Sequence, residues 1–217
     1  MLYQCSLCRH TTVQFYHRDT SRSYYQCNRC ALVFVPPEFH LSPAGELAYY
    51  NLHENSMEDN GYRRFLSRCA VPLLNALQAK SEGLDFGCGP APLLANMLAE
   101  GGHRVELYDR FYLPATDALA KEYDFIVATE VVEHLAEPGA ELLNLWQRLR
   151  GGGILALMTK PVISAERFAR WHYIRDPTHI GFFSARTFRW LAQRLEADLQ
   201  FVDSDVFFLR KSGVYTE

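Results

Sequence analysis

The sequence lacks any long uninterrupted hydrophobic run. A membrane-spanning helix needs about 18 or more consecutive apolar residues, and no stretch of the chain reaches that length. The N-terminus has no basic segment followed by an apolar core, so a secretory signal is not indicated. These absences predict a protein without a membrane span, and the expected location is the cytoplasm.

The sequence also lacks an excess of positive charge. It contains 22 Lys and Arg against 25 Asp and Glu, which gives a net charge of −3. A broad phosphate-binding surface needs a basic excess, so nonspecific nucleic-acid binding is disfavoured. Hydrophobic residues make up 48% of the 217-residue chain. That composition suits one globular core with a small appendage.

Cysteine is scarce, but four of the six cysteines form two C-x2-C pairs. Cys5 and Cys8 are separated from Cys27 and Cys30 by 18 residues, a spacing typical of a four-thiolate zinc site. Four thiolates leave no open position for water, so the Zn²⁺ is predicted to be structural. Two disulfides are the alternative, which a reducing cytosol disfavours. The alternating segments between the pairs predict a hairpin, and hence a zinc ribbon.

The centre of the chain is an acid followed by a glycine turn, at Asp85, Gly87 and Gly89. The turn joins a predicted strand to a predicted helix. Its glycines let the backbone approach a ligand closely, and the helix start offers unpaired N–H groups. A second predicted strand, 104–108, ends on Asp109, roughly 20 residues after the turn, where a ribose-binding acid is expected.

The run D-F-G-C-G-P-A at 85–91 resembles the acid-x-G-x-G-x-G loop of class I S-adenosylmethionine-dependent methyltransferases. Ala91 replaces the third glycine of that family. The dinucleotide pattern G-x-G-x-x-G fits poorly, because Pro92 occupies its last glycine position. The resemblance implies that Asp85 and the loop hold the methionine end of the cofactor, and that Asp109 binds the ribose hydroxyls.

A second block, 123–135, resembles the fourth-strand motif of the same family. Polar residues follow its apolar strand at the carboxyl end, the side on which open α/β sheets bind ligands. The predicted S-adenosylmethionine site consists of Asp85, Gly87, Cys88, Gly89, Asp109, Arg110, Phe111, Thr129 and Glu130.

The resemblance covers about residues 80–210 and implies an α/β fold. The expected architecture is a Rossmann-like, seven-stranded, mostly parallel sheet with an antiparallel terminal hairpin, plus the small N-terminal zinc ribbon. The segment after Asp109 is shorter than the usual connection and leaves room only for a brief strand near 115–118. The predicted divisions are a zinc ribbon at 1–40, a helical linker or lid at 41–79, and the methyltransferase domain at 80–217.

Two histidines are the predicted catalytic residues. Histidine titrates near neutral pH and is able to take a proton from an alcohol, phenol or carbon acid. His134 ranks first because it follows the fourth strand, where the methyl group is expected to point. His179 ranks second, ahead of His172. It lies in a D-x-T-H-x-x-F-F-S stretch that resembles a subset of these enzymes, which includes ubiquinone-biosynthesis-like O-methyltransferases.

Three functions stay open at this point. The first is a small-molecule methyltransferase acting on oxygen or carbon. The second is an RNA or protein methyltransferase whose ribbon grips a macromolecule through Arg9, Arg18, Arg22 and Arg29. The Asn-Pro-Pro-aromatic loop of many nucleic-acid methyltransferases is absent after strand four, which makes this second function less favoured than the first. The third is a noncatalytic cofactor-binding scaffold. The sequence predicts no particular oligomeric state.

Overall fold

The computed structural model describes residues 3–52 and 56–213. Its strands are β1 (Val13–Arg18), β2 (Ser23–Cys27), β3 (Val33–Phe34), β4 (Glu82–Phe86), β5 (Arg104–Tyr108), β6 (Tyr123–Thr129), β7 (Leu149–Met158), β8 (Gly181–Phe182), β9 (Asp198–Phe201) and β10 (Val206–Arg210). Its α-helices are α1 (Pro43–Tyr50), α2 (Asn60–Ala76), α3 (Leu93–Glu100), α4 (Pro138–Gln147), α5 (Ala165–Phe168) and α6 (Ala185–Leu195). Short 3-10 helices lie at Pro37–Phe39, Thr116–Ala120, Val132–His134 and His172–Arg175. Within the described ranges, every helix is too short or too polar to cross a lipid bilayer.

The larger sheet has six strands in the order β5-β4-β6-β7-β10-β9. The first four are parallel, and β10 pairs antiparallel with both β7 and β9. The predicted Rossmann-like sheet with an antiparallel terminal hairpin is confirmed. The predicted count of seven strands is wrong for the described residues. The short segment after β5 forms a 3-10 helix at Thr116–Ala120, where the sequence predicts a brief third strand.

The apolar core lies on both faces of this sheet. Alternate residues of β7 face opposite sides, as expected for a strand. Leu155 and Leu157 join an apolar cluster with α4 and α6, whereas Ile154 and Ala156 join another with α2 and α3. Covering both faces buries the parallel strands and leaves the strand ends available for a site.

A second sheet, in the order β1-β2-β3-β8, joins the N-terminal region to the rest of the chain. Its last strand, β8, belongs to the connection between β7 and α6. Val33 is in register with Phe182, and Phe34 with Gly181. Cys5 and Cys30 are buried in the same apolar cluster as Leu142 of α4. The N-terminal hairpin is therefore packed on the core of the larger sheet, and it shares the second sheet with β8.

Candidate active site

The carboxyl ends of three adjacent parallel strands open on one cavity. Gly87 follows β4, Asp109 follows β5 and Glu130 follows β6. The cavity has a volume of about 680 Å³. Its lining includes every residue that the sequence predicts for cofactor binding and catalysis, namely Asp85, Gly87, Cys88, Gly89, Asp109, Arg110, Phe111, Thr129, Glu130, His134 and His179. The fold thus brings together residues that lie up to 94 positions apart (179 minus 85).

Backbone hydrogen bonds hold the glycine loop against β5. The amides of Gly87 and Cys88 donate to the Tyr108 carbonyl at 2.7 and 3.2 Å, and the Gly89 amide donates to the Asp109 carboxylate at 3.0 Å. Gly87 has φ +78° and Gly89 has φ +64°. This left-handed region costs other residues about 1–2 kcal/mol. The glycines therefore let the loop turn at the cavity wall without that cost.

Two buried acids flank the loop. Asp109 also accepts hydrogen bonds from the amides of Phe111 and Tyr112, at 2.8 and 3.1 Å, and so fixes the turn after β5. Asp85 lies in β4 and is 2% exposed. Burial, together with the nearby charge of Asp109, raises the pKa of Asp85 to about 7. A cation bound beside Asp85 would favour its charged form.

Helix α1 covers the turn after β5. Glu46 pairs with Arg110 at 3.5 Å. The Tyr50 ring packs edge-on against Phe111 with 5.7 Å between centroids, and against His134 with 5.3 Å. Helix α1 therefore forms one wall of the cavity, next to the predicted catalytic histidine.

The two predicted catalytic histidines are neighbours. Their ring centroids lie 4.7 Å apart. Nδ1 of His134 lies 3.1 Å from the Thr178 carbonyl oxygen, and Nδ1 of His179 lies 2.8 Å from the Tyr173 carbonyl oxygen. A carbonyl only accepts, so each Nδ1 carries the hydrogen and Nε2 is the basic nitrogen of each neutral ring. Nε2 of His179 lies 3.7 Å from the Asp176 carboxylate.

His172, the third histidine considered from the sequence, lies apart from this pair. It begins the 3-10 helix His172–Arg175, is exposed, and is absent from the residues described as lining the cavity.

A buried acid that the sequence analysis missed lies behind the histidines. The Tyr173 hydroxyl donates to Glu133 and lies 3.3 Å from Glu130. Burial raises the pKa of Glu130 to about 7 and, with the charge of Glu130 adding, that of Glu133 to about 8. Among the described residues, one oxygen of each acid has no hydrogen-bond partner. A carboxylate oxygen of Glu133 and one ring nitrogen each of His134 and His179 lie within 4.8 Å of one another.

The signal for Glu133 was present but indistinct. It is an acid in a largely apolar block at a strand end, and only its full burial separates it from an ordinary surface residue. Tyr173 had no signal, because its contact with Glu133 spans 40 residues.

The four cysteines of the two C-x2-C motifs form one cluster outside the lining of the cavity. Their sulfurs lie within 4.8 Å of one another, with Cys5 to Cys30 at 3.5 Å and Cys8 to Cys27 at 3.4 Å. A disulfide would need about 2.05 Å, and all four are free thiols. Tetrahedral coordination with Zn–S bonds of about 2.3 Å places sulfurs about 3.8 Å apart. The cluster therefore fits a four-thiolate metal site.

The two cysteine pairs have matching backbone geometry. The residue after each pair, Arg9 or Ala31, has φ of 59° or 60°. Its amide donates to the carbonyl of the first cysteine, Cys5 or Cys27, at 2.9 or 3.0 Å. Two similar turns thus face each other across the sulfur cluster, as expected when both present thiolates to one ion.

Comparison with known proteins identifies the family. Residues 56–200 match the methyltransferase domain family, and this is more than half of the chain. The chain therefore belongs to the methyltransferase domain family. It is an S-adenosylmethionine-dependent methyltransferase, as predicted from the sequence.

Solved structures share the fold. The 1,6-didemethyltoxoflavin-N1-methyltransferase of Burkholderia thailandensis aligns with a TM-score of 0.53 at 16% identity, over 92% of this chain and 99% of that one. The magnesium protoporphyrin IX methyltransferase of Synechocystis PCC 6803 aligns with a TM-score of 0.54 at 14% identity, over 78% and 95%. No curated protein matches the sequence significantly. At these identities the structural likeness concerns the fold alone.

Proposed function

We propose that the cavity binds S-adenosylmethionine and that the enzyme methylates an oxygen or carbon atom of a small metabolite. The observation that carries this proposal is the convergence of two buried acids, a glycine loop and two histidines on one cavity. Its volume of about 680 Å³ lies within the roughly 300–1,000 Å³ typical of small-molecule sites.

The roles of the lining residues follow the family resemblance. Asp85 and the glycine loop face the methionine end of the cofactor, and Asp109 faces the ribose hydroxyls. The remaining cofactor contacts are assigned to Cys88, Arg110, Phe111, Thr129 and Glu130. The cofactor supplies a methyl group on a sulfonium cation. The protein then has two tasks: to align the acceptor with that methyl group and, for a weakly acidic acceptor, to remove its proton.

His134 is the proposed general base, with His179 as the second candidate. Each ring donates through Nδ1 to a backbone carbonyl, so Nε2 is the nitrogen that takes up a proton. The two ring centroids lie 4.7 Å apart. Either ring is therefore placed to take a proton from a methyl acceptor held between helix α1 and the strand ends.

The charge of the cavity bears on the class of acceptor. Its acidic lining residues are Asp85, Asp109, Glu130, Glu137, Glu141 and Asp176. Arg110 is paired with Glu46. An acidic site favours a neutral or cationic acceptor over one that carries phosphate or carboxylate. A small acceptor is also consistent with the two structural neighbours, which are named for 1,6-didemethyltoxoflavin and magnesium protoporphyrin IX.

A macromolecular acceptor is the less favoured alternative. Of the four ribbon arginines considered for such a role, Arg22 is buried and Arg9 is paired with Glu137. Arg18 and Arg29 are the two exposed members that form no ion pair with another described residue, and two side chains make only a small basic surface for gripping RNA. We propose that the ribbon is structural and that its four cysteines hold one Zn²⁺.

Calorimetric titration of zinc-loaded protein with S-adenosylhomocysteine tests cofactor binding. We expect a micromolar dissociation constant, and at least tenfold weaker binding by Asp109→Asn. The exposed Asp198→Asn serves as the control and is expected to bind like wild type. No binding of S-adenosylhomocysteine by folded wild-type protein would contradict the assignment of this cavity as the cofactor site.

Transfer of labelled methyl groups tests the acceptor class. The protein is incubated with labelled S-adenosylmethionine and separate metabolite, RNA and protein fractions. We expect label in the metabolite fraction, lost in His134→Gln. Label that appears instead in RNA or protein would overturn the small-molecule proposal.

A further inference from the structure

Arg22 of the N-terminal hairpin is buried against the core. Only 5% of the surface of Arg22 is exposed. The guanidinium donates to three backbone carbonyls, those of Ile174 at 2.9 Å, Asp176 at 2.7 Å and Pro177 at 2.9 Å. Its Nε also donates to the Tyr24 hydroxyl at 2.9 Å. One side chain thus binds most of a four-residue stretch that lies more than 150 positions away.

This stretch leads directly into the predicted catalytic pair. The next residue, Thr178, supplies the carbonyl that accepts from Nδ1 of His134, and His179 follows it. The carbonyl that orients His179 belongs to Tyr173, just before the stretch. Arg22 therefore contacts the backbone between the two carbonyls that orient the histidine rings.

The ribbon holds the same segment from its other end. The Val35 amide donates to the Ile180 carbonyl at 2.9 Å, and the Ile180 amide donates to the Glu133 carbonyl at 2.8 Å. Strand β3 then pairs with β8. Residues 174–182 are thus tied to the ribbon at both ends, and to the 3-10 helix that carries His134.

The attachment of Arg22 is itself supported within the hairpin. The Tyr24 hydroxyl donates to the Asp19 carboxylate at 2.6 Å, and the backbone amide of Arg22 donates to the same carboxylate at 2.8 Å. An arginine has five N–H donors in a rigid fork, a geometry that a lysine ammonium does not reproduce. Arg22 is thus preorganised to bind several carbonyls at once.

We propose that Arg22 is a positioning residue: it holds the 174–177 stretch so that His134 and His179 keep their Nδ1–H form, with Nε2 as the base. The proposal rests on the proposed general-base function of these histidines. It gives the ribbon a role in catalysis without any contact between the ribbon and the substrate.

Nitrogen NMR of the histidine rings tests this proposal without an identified acceptor. The full-length, zinc-loaded protein is labelled with ¹⁵N-histidine, and the signals are assigned with His134→Gln and His179→Gln. We expect both rings of the wild type to show the Nδ1–H form. In Arg22→Ala, both are expected to shift toward the Nε2–H form that free histidine prefers. Arg22→Lys is expected to be intermediate, and the exposed Arg18→Ala to match the wild type.

Binding of S-adenosylhomocysteine separates this proposal from the proposed function. We expect Arg22→Ala to bind within about threefold of wild type, because Arg22 contacts none of the predicted cofactor residues. A folded Arg22→Ala protein with wild-type ring signals would overturn the positioning role. If Arg22→Ala does not fold, unchanged rings in Arg22→Lys would overturn it equally. Absence of cofactor binding by the wild type would overturn the proposed function and leave the NMR result standing.

Discussion

At the residue scale, the candidate site is marked by buried carboxylates, two that line the cavity and Glu133 beside it. Asp85, Glu130 and Glu133 all have raised pKa values, and burial is the largest cause in each case. Perturbed acids that cluster in a cavity are typical of functional sites. The raised pKa values move the titration of these acids toward neutral pH, so ligand binding and stability are both expected to depend on pH.

Asp85 is expected to make cofactor binding pH-dependent. With a pKa of about 7, the carboxylate is mostly protonated at pH 6 and mostly charged at pH 8. The ammonium of S-adenosylhomocysteine favours the charged form, so we expect roughly tenfold weaker binding at pH 6 than at pH 8. Calorimetry at the two pH values measures this. Asp85→Asn is expected to bind weakly at both, and equal wild-type affinities would contradict the prediction.

Glu133 is expected to make stability pH-dependent. Its folded-state pKa of about 8 lies above the unfolded value of about 4.3, so the folded state binds more protons between these values. Its stabilising contribution is therefore complete at low pH and is lost as the pH rises to about 8. Glu133→Gln stays neutral, so the midpoint of thermal unfolding of the wild type should fall relative to this variant between pH 5 and 8.5. The exposed Glu166→Gln is the control, and a constant difference would refute the argument.

At the element scale, the loop after β4 depends on two glycines for different reasons. Both have positive φ, but a methyl group at Gly87 would lie 2.5 Å from a methyl carbon of Val131, whereas at Gly89 it would meet nothing within 4 Å among the described atoms. Valine is stiff and has little room to give way. Gly87 is therefore constrained by packing as well as by backbone conformation.

This difference predicts distinct effects of two matched substitutions. Gly89→Ala is expected to lower the free energy of unfolding by about 1–2 kcal/mol, the backbone cost alone. Gly87→Ala should lose about 1–3 kcal/mol more because of overpacking. Urea unfolding measures both. The open space beside Gly89 faces the proposed cofactor site, so the methyl group of Gly89→Ala should weaken binding of S-adenosylhomocysteine. Equal free energies of unfolding for the two variants would contradict the packing argument.

At the scale of the whole molecule, the cysteine cluster and the active-site segment share one structural unit. The cluster is packed with Leu142 and Trp146 of α4, and Leu7 closely approaches Gly139 at the start of that helix, where an added Cβ would lie 2.1 Å from the Leu7 carbonyl oxygen. The hairpin behind the cluster pairs with β8. Loss of metal from the cluster should therefore loosen more than the hairpin.

Removal of the proposed zinc ion is expected to lower the midpoint of thermal unfolding by at least about 10 °C. Structural zinc contributes several kcal/mol or more to folding, and each 1 kcal/mol shifts the midpoint by about 2–4 °C in a chain of this size. Hydrogen exchange should speed up at 174–182 as well as at the cysteines. Metal analysis and calorimetry of Cys5→Ser, with Cys88→Ser as the metal-retaining control, measure the effect. An unchanged midpoint after verified metal loss would contradict it.

Local patterns in the sequence determined much of this fold. Strand β5 matches its predicted bounds of 104–108, and the terminal hairpin and the glycine turn were also predicted. Such features depend on side-chain periodicity and on glycine conformations, which are written in neighbouring residues. The spacing of four cysteines likewise predicted their cluster.

Two features departed from the local pattern. The glycine triplet at 151–153 lies within β7, although glycines more commonly end helices or interrupt strands. The segment before β6 forms a 3-10 helix in place of a strand. Hydrogen bonds with Lys211 hold Gly152 and Gly153 in the strand, and a single segment carries no sign of such a distant partner.

Only the tertiary structure decided how distant segments complete the site. The sequence placed Arg22 among surface charges, but it is buried against carbonyls at 174–177. It gave no sign of the contact between Tyr173 and Glu133, or of the pairing of β3 with β8. The sequence determined the family motifs and with them the candidate site residues, because motifs are local. Packing decided which of them are buried, paired and oriented, because those properties depend on contacts between residues far apart in the chain.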